Sequence, residues 1–552
     1  MKVFLKNLMR YFGFAFFFSL FINTLQLVFP VYMLLIFDKV LVSRSMPTLI
    51  TVTIGALLAL VVMALLDFLR SRLLVRAGVA VDRNLTKPVI TEMVRDAARI
   101  DSKSYREGIL DVNVMRNFLA GNAAFSFFDL PWVPIYLFAI FCMNIWLGWL
   151  AVAGACVLLI LGLAQEFLTG PRFTLAKTME RQSGQLINLG MRNAEAITAM
   201  HMQPGLIGHW ARPHDQTLYL QTNAYRFSTV LNSISKSFRA GMQIFVYGLG
   251  AYLVLENQGT VGTIIAASVI TRQALNPVEQ IMNTWKQTVE ARAAYLRLDT
   301  LLGAADTREH MELPEPAGKI DAEAVGLAVN GRPILGNVSF TLEPGESMGL
   351  IGPSGAGKSS LCRLLLGIWP STSGKVRLDG ADIFSWNKDM LGQYIGYLPQ
   401  DVELFAGTIS ENIARMGEVD SAKVVDAATL AGIHDIILRL PQGYDTQIGD
   451  LGMQLSGGQR QLVGLARVFY GQPRFVILDE PNSNLDERGE RALLQALATL
   501  KERKVTTIMV THKPSLLSSM DKVLVLKDGQ VALFGPRDDV FRALAPQPPA
   551  TA

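Results

Sequence analysis

The stretch SMGLIGPSGAGKSS, residues 347–360, sets Gly352, Gly357, Lys358 and Ser359 in the pattern G-x-x-x-x-G-K-[ST], after an apolar run and before LCRLLLGI. A strand before such a loop and a helix after it are the context of a P-loop. Its glycines let backbone amides turn inward around phosphate oxygens, so Gly352, Pro353, Ser354, Gly355, Ala356 and Gly357 are the expected cradle. Lys358 then reaches the outer phosphates, and Ser359, with Ser360 beside it, offers a hydroxyl to Mg2+.

Residues 475–481 read FVILDEP, an apolar run that ends in two acids. A buried parallel strand there would deliver both at its carboxyl end. Asp479 is expected to hold Mg2+ through water, and Glu480 to polarise an attacking water as general base. Gln400, in YLPQDVELF, has a side chain able to meet both metal and water. His512 follows the apolar VTTIMV, which suits a contact to the terminal phosphate.

LSGGQRQ, residues 455–461, contains no acid and no metal-ligand pair. Ser456 is a good N-cap for GGQRQLVGLARVF, and the turn exposes amides at the positive end of the helix dipole. Ser456, Gly457, Gly458 and Gln459 therefore form an anion site without a catalytic acid. The P-loop already holds the phosphates of its own nucleotide, so this second turn is expected to serve the nucleotide of another chain.

These residues crowd the second half, and the first half is of another kind. The chain has 552 residues, of which 50% are hydrophobic and only 18% charged; mean hydropathy is +0.30. That balance predicts a lipid-facing portion. A net charge of +4 makes no case for nucleic-acid binding. Cys142, Cys156 and Cys362 lie far apart, with no zinc or disulfide spacing, and read as reduced structural residues.

Apolar segments at about 12–36, 49–68, 125–143, 146–165, 237–255 and 259–277 each approach the roughly 20 residues that cross a hydrocarbon core, so six spans are expected. The first is too long for a secretory signal. Pro131 and Pro134 predict a bent or unwound start to the third. Arg70, Arg72 and Arg76 after the second span, and Arg172, Lys177 and Arg181 after the fourth, put the N-terminus and the second half in the cytoplasm. Lys39 and Arg44 dissent. The connections at about 70–124 and 166–236 read as helices that continue beyond the bilayer and return. Almost no ionisable residue falls at mid-depth, and Asp38 and Asp129 read as helix-capping or interfacial residues. The expected organisation is a transmembrane domain over 1–305, a Pro-rich linker over 306–319, an α/β nucleotide-binding domain over 320–545 and a tail over 546–552.

The P-loop, Gln400, LSGGQ, LDE, SNLD and His512, in that order, resemble the nucleotide-binding domain of ABC transporters over about 320–540. Six spans ahead of it resemble an exporter half-transporter. The resemblance implies a homodimer in which each ATP is sandwiched between one P-loop and the partner's LSGGQ turn, with Asp486 of PNSNLD coupling the two sites. Val329 stands where that family usually has an aromatic residue, which leaves discrimination against GTP open.

FDLPWVPIYL, NAEAITAMHM, LNPVEQIMNTW and GYLPQDVELFAGTISENIARM look like the type I secretion branch that exports bacterial proteases, lipases and haem-binding proteins. Membership implies ATP-driven export of unfolded polypeptides with a C-terminal secretion signal from the bacterial inner membrane. The implied partners are a periplasmic membrane fusion adaptor, an outer-membrane channel of the TolC type and the secreted protein. The chain starts about ten residues before the first span, so an N-terminal peptidase domain is not expected. The methionines of NAEAITAMHM read as gap fillers. An exporter of lipids, drugs or small peptides has the same engine and remains the alternative; an ATP-gated channel or scaffold would not need the complete hydrolytic set.

Overall fold

The computed structural model describes residues 2–100, 107–303, 313–449 and 454–544, with no side-chain description before residue 9. The expected linker falls through residue 312 outside the described residues, and the expected tail lies wholly outside them. The chain divides into two compact units, Met1–Asp96 with Ser104–Ala305, and Ala97–Lys103 with Asp306–Ala552.

The first unit is helical. Met46–Ala98 and Gln203–Leu255 run 53 residues each and Ile145–Arg192 runs 48. At 1.5 Å per residue the longest reach about 80 Å, far more than a bilayer core. Each of these three helices thus runs unbroken from its span into one of the long inner connections. Among the described residues, five helices are long and apolar enough to cross a membrane: Met9–Ser43, Met46–Ala98, Asn122–Met143, Ile145–Arg192 and Gln203–Leu255. The sixth expected segment is the helix Val261–Asn283, 23 residues long. It is missing from those five because its second half carries Arg272, Gln273, Asn276, Glu279 and Gln280. The proline-bent start of the third span is a single 3-10 turn, Leu130–Trp132, between the helices Asn122–Asp129 and Val133–Met143.

Two acids at span ends behave differently. A π turn over Ile36–Val40 carries Asp38 to the start of Val261–Asn283, where it accepts hydrogen bonds from the Thr260 hydroxyl (2.5 Å) and the Gly262 amide (2.9 Å). That is a helix cap supplied from another helix. Asp129 instead accepts from Arg70 Nη1 at 2.6 Å and from Asn23 Nδ2 at 2.9 Å. Arg70 is only 6% exposed. The expectation that Asp129 caps a helix is thus corrected: its side chain makes an ion pair and no cap bond. A guanidinium removed from water requires an anionic partner, and Asp129 supplies it. Cys142, Cys156, Met200 and Met202 are exposed, so among the cysteines only Cys362 packs in a core, and these two methionines fill no gap.

The second unit is α/β. Its central six-stranded sheet runs in the order Gln530–Pro536, Lys522–Lys527, Ser347–Ile351, Thr506–Val510, Phe475–Asp479, Ile395–Leu398, parallel except for the first pair. Every residue of Phe475–Asp479 and of Thr506–Val510 is buried, the pattern of strands covered on both faces. A four-stranded antiparallel sheet, led by Ile320–Val329 and Arg332–Leu342, shares one core with the P-loop helix Lys358–Leu365 through Leu335, Phe340 and Leu361. A second core gathers the Gly457–Phe469 and Glu487–Glu502 helices around Val463, Phe469 and Leu493.

One half-buried cation in this unit has a pKa lowered to within reach of experiment. Lys388 donates to the Ile383 carbonyl at 2.6 Å. Burial lowers its pKa from the usual lysine value to about 8, against the pull of Asp382. Between about pH 8 and pH 10.4 the unfolded chain keeps a proton that the folded chain has released, so stability rises with pH across that window. Thermal melts of the wild type should therefore gain a few degrees on Lys388→Met between pH 7.5 and 10. A difference that stays flat over this range would show the ammonium to be solvated.

Candidate functional site

Strand order and register assemble the site. Leu350 lies opposite Val510, Val510 opposite Asp479, and Leu398 opposite Leu478. The chain beyond these positions holds the P-loop, His512, Glu480 and Gln400, side by side along the carboxyl edge of the sheet. In open α/β sheets ligands bind at this edge.

The P-loop leaves the buried strand Ser347–Ile351 and ends at the helix beginning with Lys358. Gly352 passes so close to the next strand that a Cβ would stand 2.1 Å from the Leu526 carbonyl oxygen. The Ala356 amide donates to the Pro353 carbonyl at 3.2 Å, which closes the turn through Ser354 and Gly355. Lys358 folds over this turn and donates to the carbonyls of Gly352 (2.7 Å) and Pro353 (3.0 Å). Its ammonium is held above the loop instead of extending into solvent.

The Ser359 hydroxyl lies close enough to the Asp479 carboxyl to favour its ionised form. That proximity brings together the first residues of one helix and the last residue of a strand over a hundred positions later. Asp479 is 3% exposed. Burial holds its pKa above the ordinary aspartate value, opposed by Ser359, Arg363 and Lys358 and reinforced by Glu480. Burial also pushes the neighbouring Tyr397 up to about 12, with Cys362 and Asp479 adding to the effect.

Glu480 takes a left-handed backbone, φ 49°, and its amide donates to the Val510 carbonyl at 3.0 Å. A left-handed glutamate is uncommon and turns the side chain out of the sheet edge. Gln400 Nε2 donates to Glu480 Oε2 at 3.2 Å. His512 is exposed in the loop after the Thr506–Val510 strand, and its neighbour Thr511 donates to Asn482 Oδ1 at 3.1 Å. The structure thus gathers Ser359, Asp479, Glu480 and Gln400, with Gln400 bonded to Glu480 and His512 on the adjoining strand end.

The LSGGQ turn forms a separate group. Ser456 Oγ accepts from the Gln459 amide at 3.2 Å, and Gln459 Oε1 accepts from the Ser456 amide at 3.0 Å, a complete capping box. Gly457 and Gly458 begin the helix, and a Cβ on Gly458 would approach the Asn484 carbonyl oxygen to 2.9 Å. Among the hydrogen bonds of the described residues, none joins 456–459 to 352–360. Asp486 caps the helix Glu487–Glu502 by accepting from the Gly489 amide at 2.8 Å. Val329 ends its strand half-buried against the core.

Two contacts were not legible in the sequence. Gln461, 1% exposed, donates to the Pro481 carbonyl at 3.1 Å and fastens the LSGGQ helix to the loop after Glu480. Arg363 lies over the Trp369 ring at 4.7 Å and lends positive potential to Asp479. The position of Gln461 on the inner helix face could have flagged the first; no pattern announces the second.

Gly352→Ala must displace the Leu526 carbonyl, an overpacking cost of about 1–3 kcal/mol. Titration with a fluorescent ATP analogue should show affinity lower by about tenfold or more, with a lower melting temperature. Wild-type affinity in this variant would remove the close approach from the account of the loop.

Residues 12–278 match the ABC transporter transmembrane region and residues 335–483 the ABC transporter family. The chain is 39% identical over 539 residues to the type I secretion system ATP-binding protein PrsD of Rhizobium meliloti, covering 96% of this chain and 92% of that protein. It is 28% identical to the cyclolysin secretion/processing ATP-binding protein CyaB of Bordetella pertussis, over 95% of this chain and 75% of that one. The leukotoxin translocation ATP-binding protein LktB of Mannheimia haemolytica is 27% identical over 98% of this chain and 76% of its own length. A bacterial Atm1-family ABC exporter with ATP bound shares the fold, with a TM-score of 0.81 at 24% identity over 98% of this chain and 97% of that one. A helical membrane unit followed by a P-loop α/β unit, matched over nearly its whole length, makes this chain a member of the ABC transporters, in their type I secretion branch: a multi-pass inner-membrane protein that couples ATP hydrolysis in its cytoplasmic unit to transport.

Proposed function

We propose that this chain energises the export of an unfolded polypeptide bearing a C-terminal secretion signal, as the inner-membrane component of a type I secretion system. The observation that carries the proposal is the 39% identity with PrsD over 96% of this chain and 92% of that protein. Its partners are then a periplasmic membrane fusion adaptor, an outer-membrane channel of the TolC type and the secreted protein.

ATP binds the P-loop through the amides of Gly352–Gly357, with Lys358 on its outer phosphates. Mg2+ fits the residues present: the Ser359 hydroxyl, the buried Asp479 carboxylate and the Gln400 carbonyl are hard oxygen donors, and the Ser359 hydroxyl already favours the ionised Asp479. Bound there, the ion would neutralise charge developing on the phosphates. Glu480 takes a proton from the attacking water, Gln400 orients it, and His512 contacts the terminal phosphate.

The LSGGQ turn offers amides at a helix N-terminus, apart from the P-loop of its own chain. A head-to-tail homodimer places the Ser456, Gly457, Gly458 and Gln459 turn of one chain over the nucleotide of the other, using one surface twice. Asp486 and its loop lie against that turn through Asn484 and link hydrolysis at one site to the other. ATP closure of the dimer and its release after hydrolysis drive the membrane helices between two states.

Glu480→Gln should bind ATP, trap the closed dimer and lower steady-state hydrolysis by a factor of about 100 or more, the scale of general-base catalysis. Near-wild-type turnover would strip Glu480 of its role. A C-terminal fragment of a secreted protein should stimulate wild-type hydrolysis where lipids and drugs do not; the reverse pattern would replace protein export with the lipid or drug reading.

A further inference from the structure

The polar residues that make Val261–Asn283 less apolar than the other spans include a set on one face. Asn276, Gln280 and Asn283 stand at i, i+4 and i+7 on Val261–Asn283, the spacing of one helix face. All three line a cavity of about 840 Å3 inside the membrane unit, and Gln26 and Asn122 add two more carboxamides from other helices. Leu275, Val278 and Met282 on the same helix are buried, so this face is turned away from its packing side. The Ser126 hydroxyl donates to Gln280 Oε1 at 3.0 Å and fixes that side chain.

The charges at the cavity wall narrow what it can take. Arg70 donates to Asp129 at 2.6 Å, to Ser19 at 2.9 Å and to Asp67 at 2.8 Å, and its guanidinium lies over the Phe125 ring. One cation facing two carboxylates leaves no positive surplus, so the cavity does not select an anion. Its apolar lining, Ile22, Met63, Ala64 and Phe125, is too interrupted by amides and hydroxyls to suit a lipid tail.

We infer that the carboxamide face of Val261–Asn283 binds the main chain of an extended polypeptide segment, by hydrogen bonds to its peptide groups and without regard to its side chains. A carboxamide offers the donors and acceptor of a peptide bond, and an extended chain presents N–H and C=O groups along its length whatever its sequence. Seven helical residues rise about 10 Å, close to three residues of extended chain. The volume falls within the roughly 300–1,000 Å3 of ordinary binding cavities. In a low-dielectric surrounding, unsatisfied peptide groups cost several kcal/mol each, so a translocating chain needs such partners. This rests on the export reading above and names the contact through which the cargo would be held.

The test uses the full chain in lipid nanodiscs and a short fluorescent peptide of Gly, Ser, Ala and Leu, with a scrambled version and one N-methylated at alternate amides. Wild type should bind the parent and scrambled peptides alike and the N-methylated one about tenfold or more weaker. Asn276→Leu with Asn283→Leu should weaken parent binding to a similar degree, while Asn276→Gln with Asn283→Gln should retain it. Because the N-methylation arm uses wild type, misfolding of the leucine variant does not rescue the idea. Equal binding of N-methylated and parent peptides overturns the inference and leaves the export reading standing. No binding of any peptide, together with ATPase stimulation by lipid or drug, overturns both. If the leucine variant loses its dimer with peptide affinity intact, the amide face pairs subunits and the inference falls.

Discussion

The parallel hydrogen-bond register of one sheet is the constraint on which the ATPase unit depends. With Leu350 opposite Val510, Val510 opposite Asp479 and Leu398 opposite Leu478, four loops far apart in sequence emerge in line. A slip of one residue would turn every side chain to the other face and part Ser359 from Asp479 and Gln400 from Glu480. The two fully buried strands at the centre make such a slip expensive, because their apolar residues fill both cores. Chemistry that requires sub-ångström placement is thereby carried by the part of the unit least able to move.

The same economy of contacts explains why the two glycine-rich turns stand as separate groups. The P-loop is closed by its own carbonyls and Lys358, whereas the LSGGQ turn is closed by a capping box and anchored through Gln461 and Gly458 to the loop after Glu480. Each turn is rigid by itself. The loop at 481–486 touches the LSGGQ helix and follows directly on Glu480, so a change at either has a short mechanical route to the other.

In the membrane unit the governing fact is the cost of unpaired polarity away from water. Arg70 is buried and therefore bonded to Asp129, Asp67 and Ser19. Asp38 crosses to cap a helix 224 positions later. The amide face of Val261–Asn283 looks onto a cavity, away from the packing side of its helix. Polar residues that composition makes look sparse are concentrated at contacts between helices.

Much of this was readable from residue order. The G-x-x-x-x-G-K-S loop between an apolar run and a helix, the run ending in Asp479 and Glu480, and the N-cap of Ser456 are local patterns, set by neighbours within a turn or two, and local physics decides them. Apolar length announced six spans, five of which are helices long and apolar enough to cross a membrane among the described residues, and the continuation of three of them beyond the bilayer. Pairings between distant residues were settled only by the tertiary fold. Nothing near Arg70 in the chain names Asp129, nothing near Gln461 names Pro481, and the polar half of Val261–Asn283 reads as a weak span until its amides are seen on a cavity wall. Sequence specifies what each segment can bury; which buried group meets which depends on helix crossings and strand register, which close only when all the segments are packed at once.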